Sequence, residues 1–286
     1  MRLLGMIIDL ERAREIGRML KVFSHLTHVF ERNDPQYRAV EKIVEAKGCS
    51  QAALIVLGNS LASYKLNVRG EEYWTALAEY ISRSEGTPER ALIRFLSDRR
   101  DLARLIDQKI RRIQAFFKSE LSRELSVDGL GYCSRLNALR NELAASLNTS
   151  RNSKTILFAV KMYYYLCSAC GRDTGEDIDL PIDSRNSRLS LWSCIVRGCH
   201  GGLDVCAEKL MRDPYRGELV QAWRIVCKES GIPCVKLDSV TWLLTGVLAD
   251  SGLNPEVAKS KIFEKFNIEL PLKVVEEFLK CTGDSE

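Results

Sequence analysis

Two ionisable side chains in the middle of the chain stand where they could catalyse a reaction. Lys154 opens an apolar segment with helical spacing, and Asp183 follows Pro181 and Ile182 at the start of the next helix. An amine is a nucleophile only in its neutral form, which the positive end of a helix dipole favours. A carboxylate nearby can accept a proton or stabilise a cationic transition state. Catalysis through an amine is therefore the functional interpretation of the pair, and the position of Asp183 also suits a helix cap.

The segment after Lys154 predicts a helix with two different faces, because residues three, four and seven apart share a face. One face is an apolar stripe formed by Ile156, Leu157, Val160, Tyr164 and Cys167. The other face carries Lys154, Phe158, Lys161 and Tyr165. Helix geometry alone favours the interpretation that this face is half-exposed, with the aliphatic stems of Lys154 and Lys161 lying along the helix surface. The functional alternative is a wall that presents an aromatic ring between two amines.

Asp238 and Trp242 form a second pair, one helical turn apart. One interpretation makes Asp238 the N-cap of a helix and Trp242 a core residue. The other makes the indole a surface on which a base stacks, with the carboxylate beside it accepting N–H bonds. Spacing alone favours the first interpretation, and the second is the functional alternative.

Cations and backbone amides near Lys154 and Asp183 suggest that a polyanion binds there. The amides of Asn152, Ser153 and Lys154 would point out of a helix start, which is a common phosphate site. Arg185 and Arg188 follow Asp183 by two and five residues. Residues 88–125 are also rich in Arg and Lys with acidic residues interleaved. A solvated helix face is the favoured interpretation of that stretch, and a phosphate-contacting face is the alternative.

Helical periodicity dominates the rest of the chain, and strand alternation is nearly absent, which predicts an all-α protein of about a dozen helices. Asp34 followed by Pro35 predicts a helix start, and Gly48 predicts its end. A further helix is expected over residues 50–66. The apolar run over residues 3–8 is too short for the core of a signal peptide and predicts a buried edge.

Composition sets only broad limits. The 286 residues suit one large domain or two small ones, and 42 basic against 38 acidic residues give a formal charge of +4. This charge does not by itself indicate a nucleic-acid partner. No apolar run is long enough to span a bilayer, so we expect an intracellular, cytoplasmic protein without a membrane partner.

Ten cysteines are spread along the chain, and two of them, Cys167 and Cys170, form a C-x-x-C inside the apolar helix. The spacing matches neither an iron–sulfur cluster nor a zinc finger. Buried reduced thiols are the favoured interpretation. Disulfides and a metal site are the alternatives, since disulfides occur in some intracellular hyperthermophile proteins.

Five blocks of sequence, spread over residues 31–242 and in the same order, resemble the archaeal 8-oxoguanine DNA glycosylases. This family is a divergent branch of the helix-hairpin-helix DNA glycosylases. The blocks are ERNDPQYRAV at 31–40, GEEYW at 70–74, KTILF at 154–158 with Lys161, DSRNSRL at 183–189, and GIP at 231–233 with Asp238 and Trp242. Any one block alone is a weak signal, but the set is specific.

The resemblance implies two helical subdomains with a DNA-binding cleft between them, within one glycosylase unit over residues 1–286. We expect one subdomain over 45–165, containing the hairpin and Lys154, and the other over 1–44 with 166–286. The resemblance also implies a monomer that acts on DNA containing 8-oxoguanine and needs neither a cofactor nor a metal.

The resemblance assigns roles to individual residues. Lys154 matches the nucleophile that attacks the sugar C1′ and forms a Schiff base, after which β-elimination cuts the strand, and Asp183 matches the catalytic carboxylate. The residues that match the base-recognition positions are Gln36, Trp74, Lys161 and Asp238, while Phe158 and Trp242 would sandwich the flipped base. Ser153, Arg185 and Arg188 are the candidates for DNA phosphate contacts. A non-catalytic helical DNA-binding or scaffold protein, and a glycosylase for another lesion, are the alternatives.

One feature departs from the wider superfamily. The hairpin before the catalytic lysine usually carries glycines that let the backbone approach a phosphate. Residues 147–153 contain no glycine. Asn148 and Asn152 tolerate left-handed conformations and are expected to take the place of glycines here.

Overall fold

The computed structural model describes residues 5–172, 174 and 176–282, and over this range the chain is almost entirely helical. This confirms the all-α prediction. The helices are α1 (Leu10–Leu20), α2 (Thr27–Asn33), α3 (Pro35–Ser60), α4 (Gly70–Arg83), α5 (Pro88–Asp98), α6 (Ile106–Lys118), α7 (Glu120–Val127), α8 (Leu136–Ser146), α9 (Lys154–Ala169), α10 (Ser184–Trp192), α11 (Leu203–Leu210), α12 (Tyr215–Ser230), α13 (Cys234–Asp250), α14 (Pro255–Phe266) and α15 (Leu272–Phe278). Short 3₁₀ turns occupy Lys21–Phe23 and Arg100–Leu102.

Two strands of two residues each were not predicted from the sequence. β1 (Ile7–Ile8) pairs antiparallel with β2 (Val196–Arg197). Ile8 packs against the neighbouring core, but the Ile7 side chain is 57% exposed. The expectation of a buried edge is therefore wrong for Ile7, and residues 3 and 4 of that run lie outside the described residues.

Backbone contacts divide the chain into two units, with boundaries between residues 31 and 32 and between residues 178 and 179. One unit, here called the terminal unit, takes the chain up to Glu31 and from Asp179 onward. The central unit is Arg32–Ile178. It extends beyond both ends of the expected 45–165 subdomain. The cleft that the resemblance implies stays a prediction.

In the central unit, α3 begins as the sequence predicts. Asp34 is the N-cap, Pro35 is the first helical residue, and Asp34 Oδ1 accepts the backbone N–H of Gln36 at 2.8 Å. The helix is interrupted at Gly48, where φ is +73°, a conformation that glycine adopts without strain. This confirms the predicted helix end near Gly48. The second segment ends at Ser60, earlier than the expected residue 66.

α9 is the buried helix of the central unit. It starts at Lys154 as predicted, and it packs along α3 and α8. Every side chain from position 159 to position 167 is buried, including that of Lys161, which is 2% exposed. The apolar stripe is therefore confirmed, while the half-exposed lysine surface is wrong for Lys161, because the rest of the unit covers that face as well.

In the terminal unit, an apolar core is shared by α1, α10, α12 and α13. Asp183 caps α10, with its Oδ1 accepting the backbone N–H of Asn186 at 2.9 Å, so the predicted cap is confirmed. α13 begins at Cys234, directly after Pro233. Asp238 consequently lies inside this helix, and the interpretation of Asp238 as an N-cap is wrong.

All ten cysteines lie within the described residues, and they form five disulfides. The pairs are Cys49–Cys170, Cys133–Cys167, Cys194–Cys281, Cys199–Cys206 and Cys227–Cys234. The favoured interpretation of buried reduced thiols is therefore wrong. Each disulfide joins residues of the same unit. Both cysteines of the C-x-x-C tie the end of α9 to other parts of the central unit.

The described residues contain no group of three or more His, Cys, Asp or Glu side chains arranged to hold a metal ion. No single described helix is long and apolar enough to cross a membrane, and α12 and α13 reach that length and hydropathy only when they are taken together across a 100° bend.

The basic stretch over residues 88–125 is not a uniform solvated face. Lys109 is fully buried and donates to the carbonyl oxygens of Ala62 and Tyr64. Arg112 lies over the Tyr64 ring, 5.1 Å from its centroid. Arg94, Arg100, Arg104 and Arg111 are exposed, which agrees with the favoured interpretation for those side chains only.

Candidate active site

Lys154 is exposed at the first position of α9, and Phe158 follows one turn later. The Phe158 ring packs edge-on against Trp74 of α4, with ring centroids 6.3 Å apart at 64°. Trp74 is fully buried, and its indole N–H has no hydrogen-bond partner among the described residues. A buried donor without an acceptor is costly, so a ligand atom that accepted this bond would be bound favourably.

Gln36 lies in the first turn of α3 and is 2% exposed. Its side-chain amide approaches the start of α4 so closely that a Cβ added to Gly70 would lie 3.2 Å from Gln36 Nε2. Gly70 therefore leaves room for the Gln36 amide. Trp74 lies one turn further along the same helix. The start of α4 thus brings two of the predicted base-recognition residues into one region of the central unit.

Lys161 lies against a buried carboxylate. Its Nζ is 3.9 Å from Asp34 Oδ2, and the same oxygen accepts the Tyr165 hydroxyl at 2.6 Å. Lys161 Nζ also lies 5.1 Å from the centroid of the Tyr165 ring. Since Asp34 caps the helix that carries Gln36, the central unit links Gln36 and Lys161 through one carboxylate.

The terminal unit holds the other candidate residues. Asp183 and Asp238 are both buried, at 9% and 3% exposed. They are connected by Asn186, whose backbone N–H donates to Asp183 Oδ1 at 2.9 Å and whose Nδ2 donates to Asp238 Oδ1 at 3.1 Å. A second bond from Asn186 Nδ2 to the carbonyl oxygen of Pro181, at 2.9 Å, fixes the orientation of the amide.

Arg185 stacks on Trp242. The guanidinium carbon lies 3.6 Å from the centre of the indole, and Nη1 donates to the backbone oxygen of Trp242 at 3.2 Å. Arg188 forms an ion pair with Asp204 at 2.7 Å. The predicted phosphate contacts of both arginines stay predictions. In this structure their guanidinium groups are engaged within the terminal unit.

The hairpin before Lys154 is shaped without glycine. Asn148 adopts φ +47°, which confirms its expected left-handed conformation, whereas Asn152 is not left-handed. The Asn152 side chain instead accepts a bond from Arg140, a buried arginine of α8 that also donates to the carbonyl oxygen of Arg151 at 2.9 Å. A side chain from α8 therefore supports a hairpin that contains no glycine.

The amides at the hairpin were expected to be available for a phosphate. The backbone N–H groups of Asn152 and Ser153 instead donate to the hydroxyl and carbonyl oxygens of Ser150, at 3.2 and 2.9 Å. The Ser153 hydroxyl is buried and has no partner among the described residues. Its role as a phosphate contact stays a prediction.

Comparison with known proteins decides the family. The sequence pattern of the AGOG family, N-glycosylase/DNA lyase, matches residues 17–277. The chain belongs to the AGOG family of N-glycosylase/DNA lyases. The resemblance identified from the five sequence blocks is thereby confirmed. Family membership also makes the chain an enzyme, and the interpretation as a non-catalytic scaffold is wrong.

Similar proteins match most of the chain. An N-glycosylase/DNA lyase of Methanopyrus kandleri is 30% identical over 84% of this chain and 90% of its own length. One from Pyrobaculum aerophilum is 32% identical over 74% of this chain and 77% of its own length. The crystal structure of an 8-oxoguanine DNA glycosylase from Pyrobaculum aerophilum, complexed with 8-oxoguanosine, matches with a TM-score of 0.67 at 23% identity, covering 94% of this chain and 95% of that one. This last match supports the fold.

Three contributors to the AGOG candidate site were not recognised from the sequence. Asn186 lies in one of the matching blocks, but nothing in its spacing indicates that it bridges two carboxylates. Asp34 was recognised only as a helix cap, and Tyr165 only as a member of a helix face. Their partners lie 52 and 131 residues away along the chain, so only the fold brings them together.

Proposed function

We propose that this N-glycosylase/DNA lyase excises 8-oxoguanine from DNA through a Schiff base on Lys154 and then cleaves the abasic strand by β-elimination. In this proposal Asp183 is the catalytic carboxylate. Gln36, Trp74, Lys161 and Asp238 read the base, and Phe158 and Trp242 stack on it. The enzyme acts on chromosomal DNA inside the cell. The expected monomer stays a prediction.

The proposed chemistry requires one nucleophile and one group that handles protons. The lone pair of Lys154 Nζ attacks C1′ as the bond from C1′ to N9 breaks, and N9 keeps that electron pair and takes up a proton. Opening of the sugar ring at O4′ gives the protonated Schiff base. Loss of a proton from C2′ then forms the C2′–C3′ double bond and expels the 3′ phosphate. Hydrolysis of the Schiff base returns the free lysine.

The exposure of Lys154 at the start of α9 carries the proposal. An amine at this position is accessible to a sugar carbon. Phe158, one turn away, offers a ring near the same amine. Lys161 is unsuited to the nucleophilic role, because its side chain is buried against Asp34.

The selectivity for 8-oxoguanine rests on the polar groups of the central unit. Compared with guanine, this base has an additional N7–H donor and an additional O8 acceptor. The unpaired, buried indole N–H of Trp74 suits an acceptor of the base, and the Gln36 amide offers both an acceptor and donors. A base that lacks the matching atoms would leave these buried groups without hydrogen-bond partners. That cost is the usual physical basis for rejecting the wrong base.

Covalent trapping tests the lysine chemistry. A duplex oligonucleotide with one 8-oxoguanine is incubated with the protein in the presence of borohydride, which reduces a Schiff base to a stable amine. We expect a trapped complex with the wild type and none with Lys154→Ala. Lys161→Ala is the matched control on the same helix, and it should still be trapped on a preformed abasic site.

Two results would contradict parts of the proposal separately. Undiminished trapping by Lys154→Ala would remove Lys154 from the nucleophilic role. If the wild type is trapped on abasic DNA but does not excise 8-oxoguanine, the proposed lyase chemistry is right and the proposed substrate base is wrong.

A further inference from the structure

Asp34 is a fully buried carboxylate that serves two parts of the central unit at once. Oδ1 accepts the backbone N–H of Gln36 at 2.8 Å, within the first turn of α3. Oδ2 accepts the Tyr165 hydroxyl at 2.6 Å and lies 3.9 Å from Lys161 Nζ. One side of the carboxylate therefore holds the helix start that carries Gln36, and the other side faces a lysine on α9.

The helix cap alone does not account for a charged residue at this position. Asn and Ser cap helices about as well as Asp, and neither brings a buried charge. Burying a carboxylate is unfavourable unless a cation and hydrogen bonds compensate for the lost hydration. Lys161, 2% exposed, supplies the cation, and Tyr165, 0% exposed, supplies a hydrogen bond. The charge of Asp34 therefore acts directly on the Lys161 ammonium, 3.9 Å away.

Lys161 gains a fixed direction from this contact. An ammonium group has three donors on a flexible stem, so its direction depends on its partners. The Asp34 carboxylate attracts the ammonium on one side, and the Tyr165 ring lies 5.1 Å from it on another. The ammonium group of Lys161 is therefore held in a defined orientation. The same carboxylate fixes the backbone N–H of Gln36 at the start of α3, from which the Gln36 side chain extends.

We propose that Asp34 is a positioning residue that orients Gln36 and Lys161 together for reading the base. The Tyr165 hydroxyl holds the Asp34 carboxylate in place. Asp34 itself does not touch the base. The inference rests on the proposed function, since it needs a base that Gln36 and Lys161 read. It concerns excision and not strand cleavage at an abasic site, where no base is left to read.

The test compares two activities of the same protein preparation. Single-turnover excision is measured on duplex DNA with 8-oxoguanine, and strand cleavage is measured on the same duplex with a preformed abasic site. Asp34→Asn keeps the size and the cap but removes the charge. We expect it to lower the ratio of excision to abasic cleavage by about 10–100-fold, because the buried Lys161 ammonium loses the carboxylate that lies 3.9 Å from its Nζ. Tyr165→Phe, which leaves the charge, is the matched variant and should lower the ratio less.

A double-mutant cycle separates positioning from general damage to the fold. If Asp34 acts through Lys161, then Asp34→Asn should lower the ratio much less in a Lys161→Met background than in the wild type. An unchanged ratio in Asp34→Asn, or equal losses of both activities, would overturn the inference while the wild type still excises the base. A wild type that cuts neither DNA would overturn the proposed function and this inference with it.

Discussion

The side-chain amide of Asn186 donates to Asp238 at 3.1 Å, while its backbone N–H donates to Asp183 at 2.9 Å. The carboxylate proposed for chemistry and one proposed for base recognition are therefore held by a single residue. Asn186 is fully buried, and its second bond, to the carbonyl oxygen of Pro181, leaves the amide only one orientation. Asn186 thus links the positions of the Asp183 and Asp238 carboxylates within the terminal unit.

This link predicts unequal losses in Asn186→Ala. The substitution removes the donor to Asp238 but keeps the backbone N–H that binds Asp183. We expect excision of 8-oxoguanine to fall by about 10–100-fold, because a buried carboxylate loses a hydrogen bond worth about 1.5–3 kcal/mol. Cleavage at a preformed abasic site should fall less. Single-turnover rates on the two substrates give both values.

The next residue along α10 provides the control for Asn186→Ala. Ser187 is equally buried, and its hydroxyl has no partner among the described residues. Ser187→Ala should therefore leave both rates near those of the wild type. Equal losses in the two variants would show that any change in the buried face of α10 is damaging and that the link is not specific.

The Trp242 side chain should contribute more to the binding of 8-oxoguanine DNA than to the binding of undamaged DNA. Truncating an aromatic ring on which a base stacks typically costs about 1–3 kcal/mol, so Trp242→Ala should weaken binding to 8-oxoguanine DNA by this amount. Trp242→Phe, which keeps a ring, should recover part of the loss. Each Trp242 variant is combined with Lys154→Ala, so that the DNA is not cut. Equilibrium binding of these proteins to 8-oxoguanine DNA and to undamaged DNA then measures the difference in affinity. A loss of equal size on undamaged DNA would argue against stacking and for a general DNA contact.

Arg185 limits how Trp242 can stack. The guanidinium lies 3.6 Å from the centre of the indole, so in this structure it covers one face of the ring. In the proposed stacking, the base takes the opposite face, and the cation adds a cation–π interaction with the indole. Arg185→Met keeps an apolar stem and removes the charge. We expect it to weaken lesion binding by less than Trp242→Ala, and a larger loss would indicate that Arg185 contacts DNA itself. The same binding measurement gives this value.

Local signals made part of this architecture predictable. Asp34 before Pro35 and Asp183 before Ser184 mark helix starts through backbone chemistry that involves neighbouring residues only. These two starts, with the apolar helix that Lys154 opens, place most of the candidate site along the chain. The roles of the residues came from the resemblance, since helix spacing alone favoured bland interpretations.

Properties that depend on distant partners were not predictable. Lys161 was expected to be half-exposed because its own helix shows two faces, but Asp34, far away in the sequence, compensates for its burial. Asp238 was mistaken for an N-cap because the helix start at Cys234 lacks a side-chain cap. β1 and β2 contain two residues each, too few to produce an alternating pattern.

The disulfides predict a ranking of stability. On the chain-entropy account, a cross-link stabilises more when it closes a longer loop. Cys49–Cys170 spans 121 residues, and Cys227–Cys234 spans 7. Replacing both cysteines of the first pair by alanine should lower the free energy of unfolding by about 2 kcal/mol more than replacing both of the second.

Chemical unfolding without reductant measures this difference. Mass spectrometry of the wild type should first show that all ten cysteines are oxidised, and the two double variants should differ much less after reduction. Equal stabilities before reduction would contradict the entropic ranking. Free thiols in the untreated wild type would contradict the pairing itself.

Lys109 should make stability depend on pH in the alkaline range. Burial lowers the pKa of Lys109 to about 8, whereas an unfolded lysine titrates near 10.4. Below pH 8 both states carry the proton, and the folded protein bears the full cost of the buried charge. Between about pH 8 and 10.4 the unfolded chain keeps a proton that the folded protein has lost, so rising pH favours the folded state.

Lys109→Met isolates this contribution, since the variant removes the charge and keeps an apolar side chain of similar length. The free energy of unfolding of the wild type should rise relative to that of the variant between pH 7.5 and 10, by at most about 3 kcal/mol at about 1.4 kcal/mol per pKa unit. The carbonyl oxygens of Ala62 and Tyr64 accept bonds from the ammonium and favour its charged form, which places the expected rise below that limit. Urea unfolding of both proteins at the two pH values measures it. A constant difference would mean that Lys109 stays protonated throughout, because its two carbonyl partners then outweigh the cost of its burial.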